Sequence, residues 1–140
     1  MRRFEYEITV PADAIDQLGH VNNIEYVRWV QDAAVRHSEA TGLDWATYQE
    51  MKAAFVIRRH VIEYLREAHV GDVLKVATWI EAATRITALR ATEICNAKGE
   101  SIVTARTTWV FVSLETMRPV RINERVATAF GGWPDGKPTP

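Results

Sequence analysis

The sequence predicts an α+β fold in which a curved, antiparallel five-stranded sheet wraps around one long central helix. Its strand-like and helix-like segments follow the order β-α-β-β-β-β, and four consecutive strands favour antiparallel pairing. One long amphipathic segment, early in the chain, is the large element that can cover an apolar sheet face. No repeat or linker interrupts the 140 residues, so we expect one domain over residues 1–130 and a disordered, Gly- and Pro-rich tail over residues 131–140.

The first strand and the long helix are marked by two different periods. Residues 4–10 alternate apolar and polar side chains, which predicts a half-buried strand, and Pro11 ends it because proline cannot donate to a sheet ladder. The next segment has a mostly apolar stripe at steps of three and four residues, which predicts a helix facing the sheet. The stripe consists of Ile24, Val27, Val30, Ala34 and His37.

Both ends of this helix carry cap signals. Asn22 is predicted as the N-cap, with Glu25 completing a capping box. Val21 and Tyr26 are predicted to form the hydrophobic staple that accompanies such a cap. At the other end, Gly42 is predicted to take the left-handed conformation that stops a helix. The helix therefore begins just after the asparagine and ends before the glycine.

Four further strands and two short helices complete the predicted order. Asp44 caps a short helix over "WATYQEMK", and "INERVATAF" forms another near the end. Gly99 lies where a hairpin turn needs a positive φ, and Pro119 is predicted to stop the last strand. The four strands are "AFVIRRHVIEYLREA", "GDVLKVATWIEA", "RITALRATEIC" and "SIVTARTTWVFVSLE". Dimerisation would cover the sheet edges and the free flank of the helix.

Composition and charge argue against several classes of function. Hydrophobic residues make up 47% of the chain and charged residues 25%, as in an ordinary globular protein. A formal net charge of −1 argues against a general binder of nucleic acid or of anionic membranes. The single cysteine, Cys95, rules out an intramolecular disulfide. No stretch has the pattern of a secretory signal or the length of a membrane span, so we expect a cytoplasmic protein.

The loop "DQLGHVNN", between the first strand and the long helix, is the candidate site. The first N–H groups of a helix lack intrahelical partners and carry the positive end of its dipole, so they can stabilise an oxyanion. Gly19 lets the chain turn and lets a ligand approach the backbone. The carboxylate of Asp16 can act on a carbonyl as a general base or as a nucleophile. Because no stronger nucleophile is present, the substrate needs a good leaving group, and a thioester meets that requirement.

A purely structural interpretation of the same residues is also open. Aspartate and asparagine before a helix commonly cap it or form turns, which accounts for Asp16, Asn22 and Asn23. A lone histidine such as His20 more often has a hydrogen-bonded structural role than a catalytic one. On spacing alone, the structural interpretation is the favoured one.

The segment "IDQLGHVNNIEYVRWVQDA" adds a resemblance to the argument from spacing. Its pattern Asp-x-x-Gly-His-Val-Asn-Asn-x-x-Tyr resembles the opening of hotdog-fold acyl-CoA thioesterases of the 4-hydroxybenzoyl-CoA thioesterase type, including the YbgC-like branch. The stretches "VIRRHVIEYLREAHVGDVL" and "WVFVSLETMRPVRI" resemble later parts of the same family. The resemblance covers nearly the whole chain up to about residue 130. It implies the hotdog fold, an acyl-CoA substrate and a site between subunits of a homodimer or homotetramer.

The resemblance also implies roles for single residues. Asp16 matches the catalytic carboxylate, which acts as nucleophile or general base on the thioester carbonyl, and Tyr26 matches a tyrosine near the acyl pocket. Many relatives carry a second aspartate two residues before the catalytic one, where this chain has Ala14, so the local hydrogen bonding must differ. The residues implied to shape the loop and polarise the carbonyl are Gly19, His20, Asn22 and Asn23.

Three further residues are candidates for contacts with the acyl group or CoA. Arg59 and His60 lie on the second strand, where they contact the acyl pocket or a CoA phosphate, or simply form an edge-strand cluster. Arg85 lies in a turn where relatives often place a basic residue near CoA, and a solvated turn is the other interpretation. No His or Cys spacing fits a metal site and no glycine loop fits a phosphate, so we expect no metal and no cofactor.

Three alternatives to this assignment stay open. A related branch uses a glutamate on the long helix, for which the acidic candidates are Glu25, Asp32 and Glu39. A non-catalytic acyl-CoA-binding hotdog module would bind CoA esters without turnover. A hotdog hydratase or dehydratase pairs a histidine with an acid in motifs that this sequence does not contain.

Overall fold

The computed structural model describes residues 3–132, as five strands, three α-helices and a short 3-10 turn. The strands are β1 (Phe4–Thr9), β2 (Ala53–Tyr64), β3 (Val73–Ala83), β4 (Thr87–Cys95) and β5 (Ser101–Ser113). The helices are α1 (Asn23–Ala40), α2 (Trp45–Met51) and α3 (Glu124–Ala129), and the 3-10 turn spans Ala12–Ala14. The predicted order is confirmed, with the 3-10 turn as an addition. Of the tail predicted to be disordered, residues 133–140 lie outside the described residues.

The strands form one antiparallel sheet with the order β1-β3-β4-β5-β2, so β1 and β2 are its edges. Register shifts interrupt the pairing between Ile57 and Arg59 on β2 and between Ile80 and Ala82 on β3. Such bulges bend a strand and increase its twist, and they curve the sheet. The predicted curved antiparallel sheet with one long helix is confirmed.

The buried face of α1 is offset from the predicted stripe. Val30, Ala34 and His37 are buried as predicted, but Ile24 has 64% of its surface exposed. At 100° per residue, Ile24 lies about 120° from the centre of the buried face, whereas Tyr26 lies within about 40° of it. The expectation that Ile24 faces the sheet was therefore wrong, and Tyr26 occupies that face instead.

The N-terminal cap of α1 follows the prediction with one correction. The side-chain oxygen of Asn22 accepts a hydrogen bond from the N–H of Ile24 at 3.1 Å, as an N-cap does. The capping box was wrong, because the N–H of Asn22 donates to the carbonyl of Ala14 at 2.9 Å. The carboxylate of Glu25 lies 3.4 Å from Arg28 instead. The cap therefore ties α1 to the 3-10 turn before it.

The C-terminal end of α1 has the predicted glycine. Gly42 has a φ of 90°, and its N–H donates to the carbonyl of Glu39 at 3.0 Å. The N–H of Leu43 reaches the carbonyl of Ser38 at 2.9 Å, which completes a Schellman motif. Asp44 then caps α2, as predicted.

The predicted end of the last strand at Pro119 was wrong. β5 ends at Ser113, where the N–H of Met117 donates to the carbonyl of Ser113 at 2.7 Å and the chain reverses. Met117 has a φ of 58°, which fits a tight turn. Pro119 then forms an isolated bridge with Val112, so it lies beside the strand rather than at its end.

The core of the described residues consists of two clusters. The first includes Val21 and Tyr26, which share it as expected for the staple, and it lies behind the candidate loop. The second includes Leu43, Phe111 and Phe130. No helix within residues 3–132 combines the length and apolar character needed to cross a membrane.

Candidate active site

The loop between β1 and α1 folds as a miniature hairpin closed by Asp16. The N–H of Asp16 donates to the carbonyl of His20 at 2.8 Å, and the N–H of Gly19 donates to the carbonyl of Asp16 at 3.1 Å. The carboxylate oxygen Oδ1 of Asp16 accepts from the N–H of Leu18 at 2.9 Å and of His20 at 3.3 Å. Gly19 has a φ of 82°, the left-handed conformation that such a turn requires. Asp16 is held through Oδ1, while Oδ2 accepts no hydrogen bond within residues 3–132.

The same hydrogen-bond pattern occurs a second time, in the β4–β5 hairpin. The N–H of Asn96 donates to the carbonyl of Glu100 at 2.9 Å, and the N–H of Gly99 donates to the carbonyl of Asn96 at 3.0 Å. The side-chain oxygen of Asn96 accepts from the N–H groups of Lys98 and Glu100, both at 3.0 Å. Gly99 also has a φ of 82°. The loop pattern therefore needs an oxygen acceptor at its first position but no charge, so the charge of Asp16 is surplus to the turn.

The N-terminus of α1 offers a free backbone donor next to this loop. The N–H of Ile24 donates to the side chain of Asn22, and that of Glu25 donates to the carbonyl of Asn22 at 2.9 Å. The N–H of Asn23 has no acceptor in the described part of the chain, and Asn23 is exposed. A carboxylate and the positive end of a helix thus flank one shallow surface depression. The depression is lined by Ile15, Asp16, Gln17, Leu18 and Asn22.

Ala14 and Tyr26, both noted from the resemblance, lie in the core behind the loop. Ala14 is buried, and its carbonyl accepts the N–H of Asn22, so its side chain packs where many relatives have an aspartate. Tyr26 is 3% exposed, and its ring packs edge to face on Trp29 with centroids 5.4 Å apart. Burial raises the pKa of the Tyr26 phenol. Tyr26 supports the start of α1 from inside, and its contact with an acyl group stays a prediction.

His20 connects the loop to the segment between β2 and β3. Its Nε2 lies 3.1 Å from Oε2 of Glu67, and Nε2 of His69 lies 3.9 Å from the same oxygen. Each of the three residues offers one ligand atom, and these atoms lie within 4.8 Å of one another. Residues this far apart in the sequence show no ligand spacing, so the sequence did not reveal the cluster. The expected absence of a metal stays a prediction.

The three residues predicted to contact the acyl group or CoA do not line the depression at Asp16. Arg59 is exposed next to the bulge in β2. Nδ1 of His60 lies 2.9 Å from Oγ1 of Thr107, its enclosed Nε2 has no partner within residues 3–132, and burial lowers the pKa of His60. Arg85 is exposed between β3 and β4, and its carbonyl accepts the N–H of Ile122 at 2.8 Å. Within one copy of the chain, these residues are not part of the loop site.

The acidic residues of α1 are placed differently from Asp16. Glu25 pairs with Arg28 in the first turn, and Asp32 is exposed. Glu39 is exposed and lines an apolar cavity at the other end of the helix. None of the three acids lines the depression beside the loop. Of these four acids, Asp16 is therefore the one that lines the depression beside the start of α1.

One buried charge was not predicted. Arg90 on β4 is 4% exposed and lines a cavity of about 230 Å³ near the C-terminal end of α1. The sequence contained a signal for this burial, because side chains alternate between the two faces of a strand and Arg90 alternates in step with apolar residues of β4. The inward-facing residues of β4 are Ala88, Arg90, Thr92 and Ile94.

Comparisons with known proteins give one family match and one similar curated protein. A family model for the N-terminal domain of acyl-ACP thioesterases matches residues 2–130. The YneP protein of Bacillus subtilis (strain 168), whose name carries a provisional acyl-CoA thioesterase assignment, is 26% identical over 130 residues. That match covers 91% of this chain and 89% of YneP.

Solved structures show the same architecture at low sequence identity. The Staphylococcus aureus protein SAV2348, determined in complex with CoA, has a TM-score of 0.89 at 20% identity, over 99% of this chain and 87% of that chain. A 1,4-dihydroxy-2-naphthoyl-CoA thioesterase from Synechocystis has a TM-score of 0.84 at 21% identity, over 92% of this chain and 96% of that chain. These similarities confirm the predicted hotdog fold. The match of the family model over residues 2–130 shows that the chain belongs to the acyl-ACP thioesterase family, a family of thioester hydrolases.

Proposed function

We propose that this chain hydrolyses acyl-CoA thioesters to a carboxylic acid and free CoA, with Asp16 as general base or nucleophile. The observation that carries the proposal is the placement of Asp16 at the start of α1. Its Oδ2 accepts no hydrogen bond within residues 3–132, and the N–H of Asn23 next to the loop has no acceptor there. The turn itself needs no negative charge, as the asparagine-based copy at Asn96 illustrates. Because the negative charge of Asp16 has no structural task in the turn, its position beside a helix N-terminus supports a catalytic role for it.

The reaction uses these groups in a fixed order. Either Oδ2 of Asp16, or a water molecule that it deprotonates, adds to the thioester carbonyl carbon. The carbonyl oxygen becomes an oxyanion and is stabilised by the N–H of Asn23 and the positive end of α1. The C–S bond then breaks, and the CoA thiolate leaves and takes up a proton. If Asp16 attacks directly, water hydrolyses the resulting mixed anhydride and restores the carboxylate.

The carrier in this proposal is CoA. YneP is named for acyl-CoA and the SAV2348 structure contains CoA, whereas the family model is named for acyl carrier protein. An assay with the same acyl group on both carriers distinguishes them. We expect faster turnover of the CoA ester, and a reversed preference would assign the carrier to acyl carrier protein.

A non-catalytic acyl-CoA-binding module is the second candidate. The observation that favours it is that Asp16 already has a structural task through Oδ1, which accepts two loop N–H groups. Thiol release across short, long and aromatic acyl-CoAs separates the two candidates. We expect release above the uncatalysed background for at least one class, and saturable binding with no release would favour the binding module.

We also propose that the chain acts as a homodimer or a larger homo-oligomer that covers the loop site. Leu18 has 78% of its surface exposed and Ile24 64%, and both follow Asp16 within eight residues of the sequence. The ring of Tyr64, at the end of edge strand β2, lies 5.9 Å from that of Tyr26 at the start of α1. Exposed Tyr64 and the unpaired edge of β2 thus adjoin the same region. Light scattering of the parent should give a mass of at least twice that of the chain, and the variant Ile24→Glu should give a lower mass. A monomeric parent would contradict the proposal.

A further inference from the structure

The cavity near the C-terminal end of α1 holds a buried positive charge. It has a volume of about 230 Å³, and most of its wall is apolar. Arg90 of β4 forms part of the wall and is 4% exposed. Exposed Val35, Glu39 and Trp45 also line the cavity, which places its mouth beside α1 and α2. Among the apolar residues of the wall are Leu43, Phe55, Ile80, Ala88 and Val126.

The contacts of Arg90 leave part of its guanidinium without an acceptor. Nη1 donates to Nδ1 of His37 at 2.9 Å and to Oγ1 of Thr78 at 3.1 Å, and both must accept because arginine only donates. The enclosed Nε has no partner within residues 3–132. The ring of Phe130 lies 5.5 Å from the guanidinium carbon, and no carboxylate of the described chain forms a salt bridge with Arg90.

Ser38 and Tyr48, two other polar groups on the wall, have already used their protons. Oγ of Ser38 lies 2.7 Å from the carbonyl of Leu43 and 2.7 Å from the hydroxyl of Tyr48. A carbonyl can only accept, so the proton of Ser38 points to Leu43 and the proton of Tyr48 points to Ser38. Arg90 is therefore the charged donor that the cavity keeps for a ligand, and the enclosed Nε1 of Trp109, which also has no partner within residues 3–132, is a neutral donor on the same wall.

A buried arginine without a counter-ion calls for an anion. Burial lowers the pKa of Arg90 to about 10, so the guanidinium still carries its charge at neutral pH. An uncompensated buried charge is strongly unfavourable, and a planar carboxylate matches the guanidinium with parallel hydrogen bonds. An apolar cavity of about 150 Å³ accommodates benzene, so this one suits a molecule of roughly ten heavy atoms.

We propose that this cavity binds an amphipathic monocarboxylate, with the carboxylate on Arg90 and the apolar body against the remaining wall. The exposed carboxylate of Glu39 at the mouth disfavours a second negative charge on the outer end of the ligand. Ala34, the first cavity residue on α1, lies eleven residues beyond Asn23, or about 16 Å along the helix axis. The site is thus at the far end of α1 from Asp16, and the proposal does not rest on the proposed hydrolysis.

Direct binding of a matched acid and amide tests the proposal. Calorimetry with the full chain at pH 7.5 compares 3-phenylpropanoate with 3-phenylpropanamide, which has the same size and no charge. We expect saturable binding of the acid and a loss of roughly tenfold to a hundredfold for the amide, as for a hydrogen-bonded charge pair. Arg90→Gln should remove the preference for the acid. Arg118→Gln, which removes an exposed arginine from the turn after β5, should keep it.

A second variant keeps the test valid if Arg90→Gln does not fold. Ala88→Leu leaves Arg90 unchanged but fills part of the cavity, and we expect it to weaken binding of the acid at least tenfold. Equal affinities of the parent for acid and amide would overturn the proposal, unless suberoyl-CoA gains affinity through Arg90 in the comparison described next. So would parent-like binding of the acid by folded Arg90→Gln or by Ala88→Leu.

A free acid and the distal carboxylate of an acyl chain share this chemistry, and a second comparison separates them. It uses Asp16→Asn protein, so that turnover is slowed during the measurement, and compares suberoyl-CoA with octanoyl-CoA. If only the free acid binds through Arg90, the ligand is a separate molecule. If only suberoyl-CoA gains affinity and loses it with Arg90→Gln, the carboxylate belongs to an acyl group. Absence of both effects would also overturn the proposal.

Discussion

Replacing Gly19 by alanine should separate loop geometry from general stability. Gly19 has a φ of 82°, and a Cβ built there meets no atom within 4 Å, so the cost is conformational only. The left-handed conformation costs a non-glycine residue about 1–2 kcal/mol. Gly99 has the same φ, the same free space and the same hydrogen-bond pattern in the β4–β5 hairpin. Gly99→Ala is therefore a matched control, and urea unfolding should show the same loss for both variants.

The two variants should differ in catalysis. Relief of strain at Gly19 shifts the turn that holds Asp16 through Oδ1, whereas relief at Gly99 moves a hairpin that has no proposed part in the reaction. A displacement of about 1 Å costs on the order of a hundredfold in rate, so we expect a tenfold to hundredfold lower kcat for Gly19→Ala in a thiol-release assay at 25 °C. Gly99→Ala should keep the parent rate. Equal rates for the two folded variants would refute the link between this turn and activity.

Further predictions concern the cap, the loop and one strand histidine. Asp16→Ala and Asn96→Ala each remove an acceptor of two backbone N–H groups. Each should therefore lower the free energy of unfolding, measured in urea, by about 1–2 kcal/mol. An Asp16→Ala protein as stable as the parent would show that those bonds add no stability. Asn22→Ala should lower the stability of the fold by about 1 kcal/mol, because the N-cap is lost. In thermal melts, Asn22→Ser should retain most of the parent stability, because serine also caps helices. An equal loss for the serine variant would argue against capping. Burial lowers the pKa of His60 below its ordinary value of 6.5, so the unfolded chain binds the proton more readily. Stability should therefore fall as pH drops through 6.5 toward the folded-state pKa, and His60→Gln should flatten that slope in pH-dependent urea titrations. An unchanged slope would exclude His60 as its cause.

The fold was predictable where local periods and caps decide it. The alternation in β1 and the signals at Asn22 and Gly42 each act within a few residues, and the structure has β1 and both helix ends there. The errors arose where tertiary contacts compete with local signals. The N–H of Asn22 donates to the carbonyl of Ala14 instead of to the side chain of Glu25. The turn at Met117 ends β5 before the chain reaches Pro119.

The candidate site was predictable only in its contiguous part. Asp16 and Gly19 form one short turn, so their roles follow from adjacent residues and from the family resemblance. The proximity of Glu67 to His20 depends on how the β2–β3 segment folds back, which no sequence spacing records. To predict the site at Arg90, both the face of β4 on which it lies and the cavity beside it must be known. Only the alternation along β4 was visible in the sequence.

The most direct test of the proposed chemistry is thiol release by Asp16→Asn protein. Asn96 makes the same turn with an amide oxygen, so we expect the variant to fold and to keep the parent urea midpoint. Loss of the carboxylate should lower kcat by about 10²–10⁴-fold for the best acyl-CoA of the panel. A folded Asp16→Asn protein that releases CoA at the parent rate would contradict the assignment of Asp16.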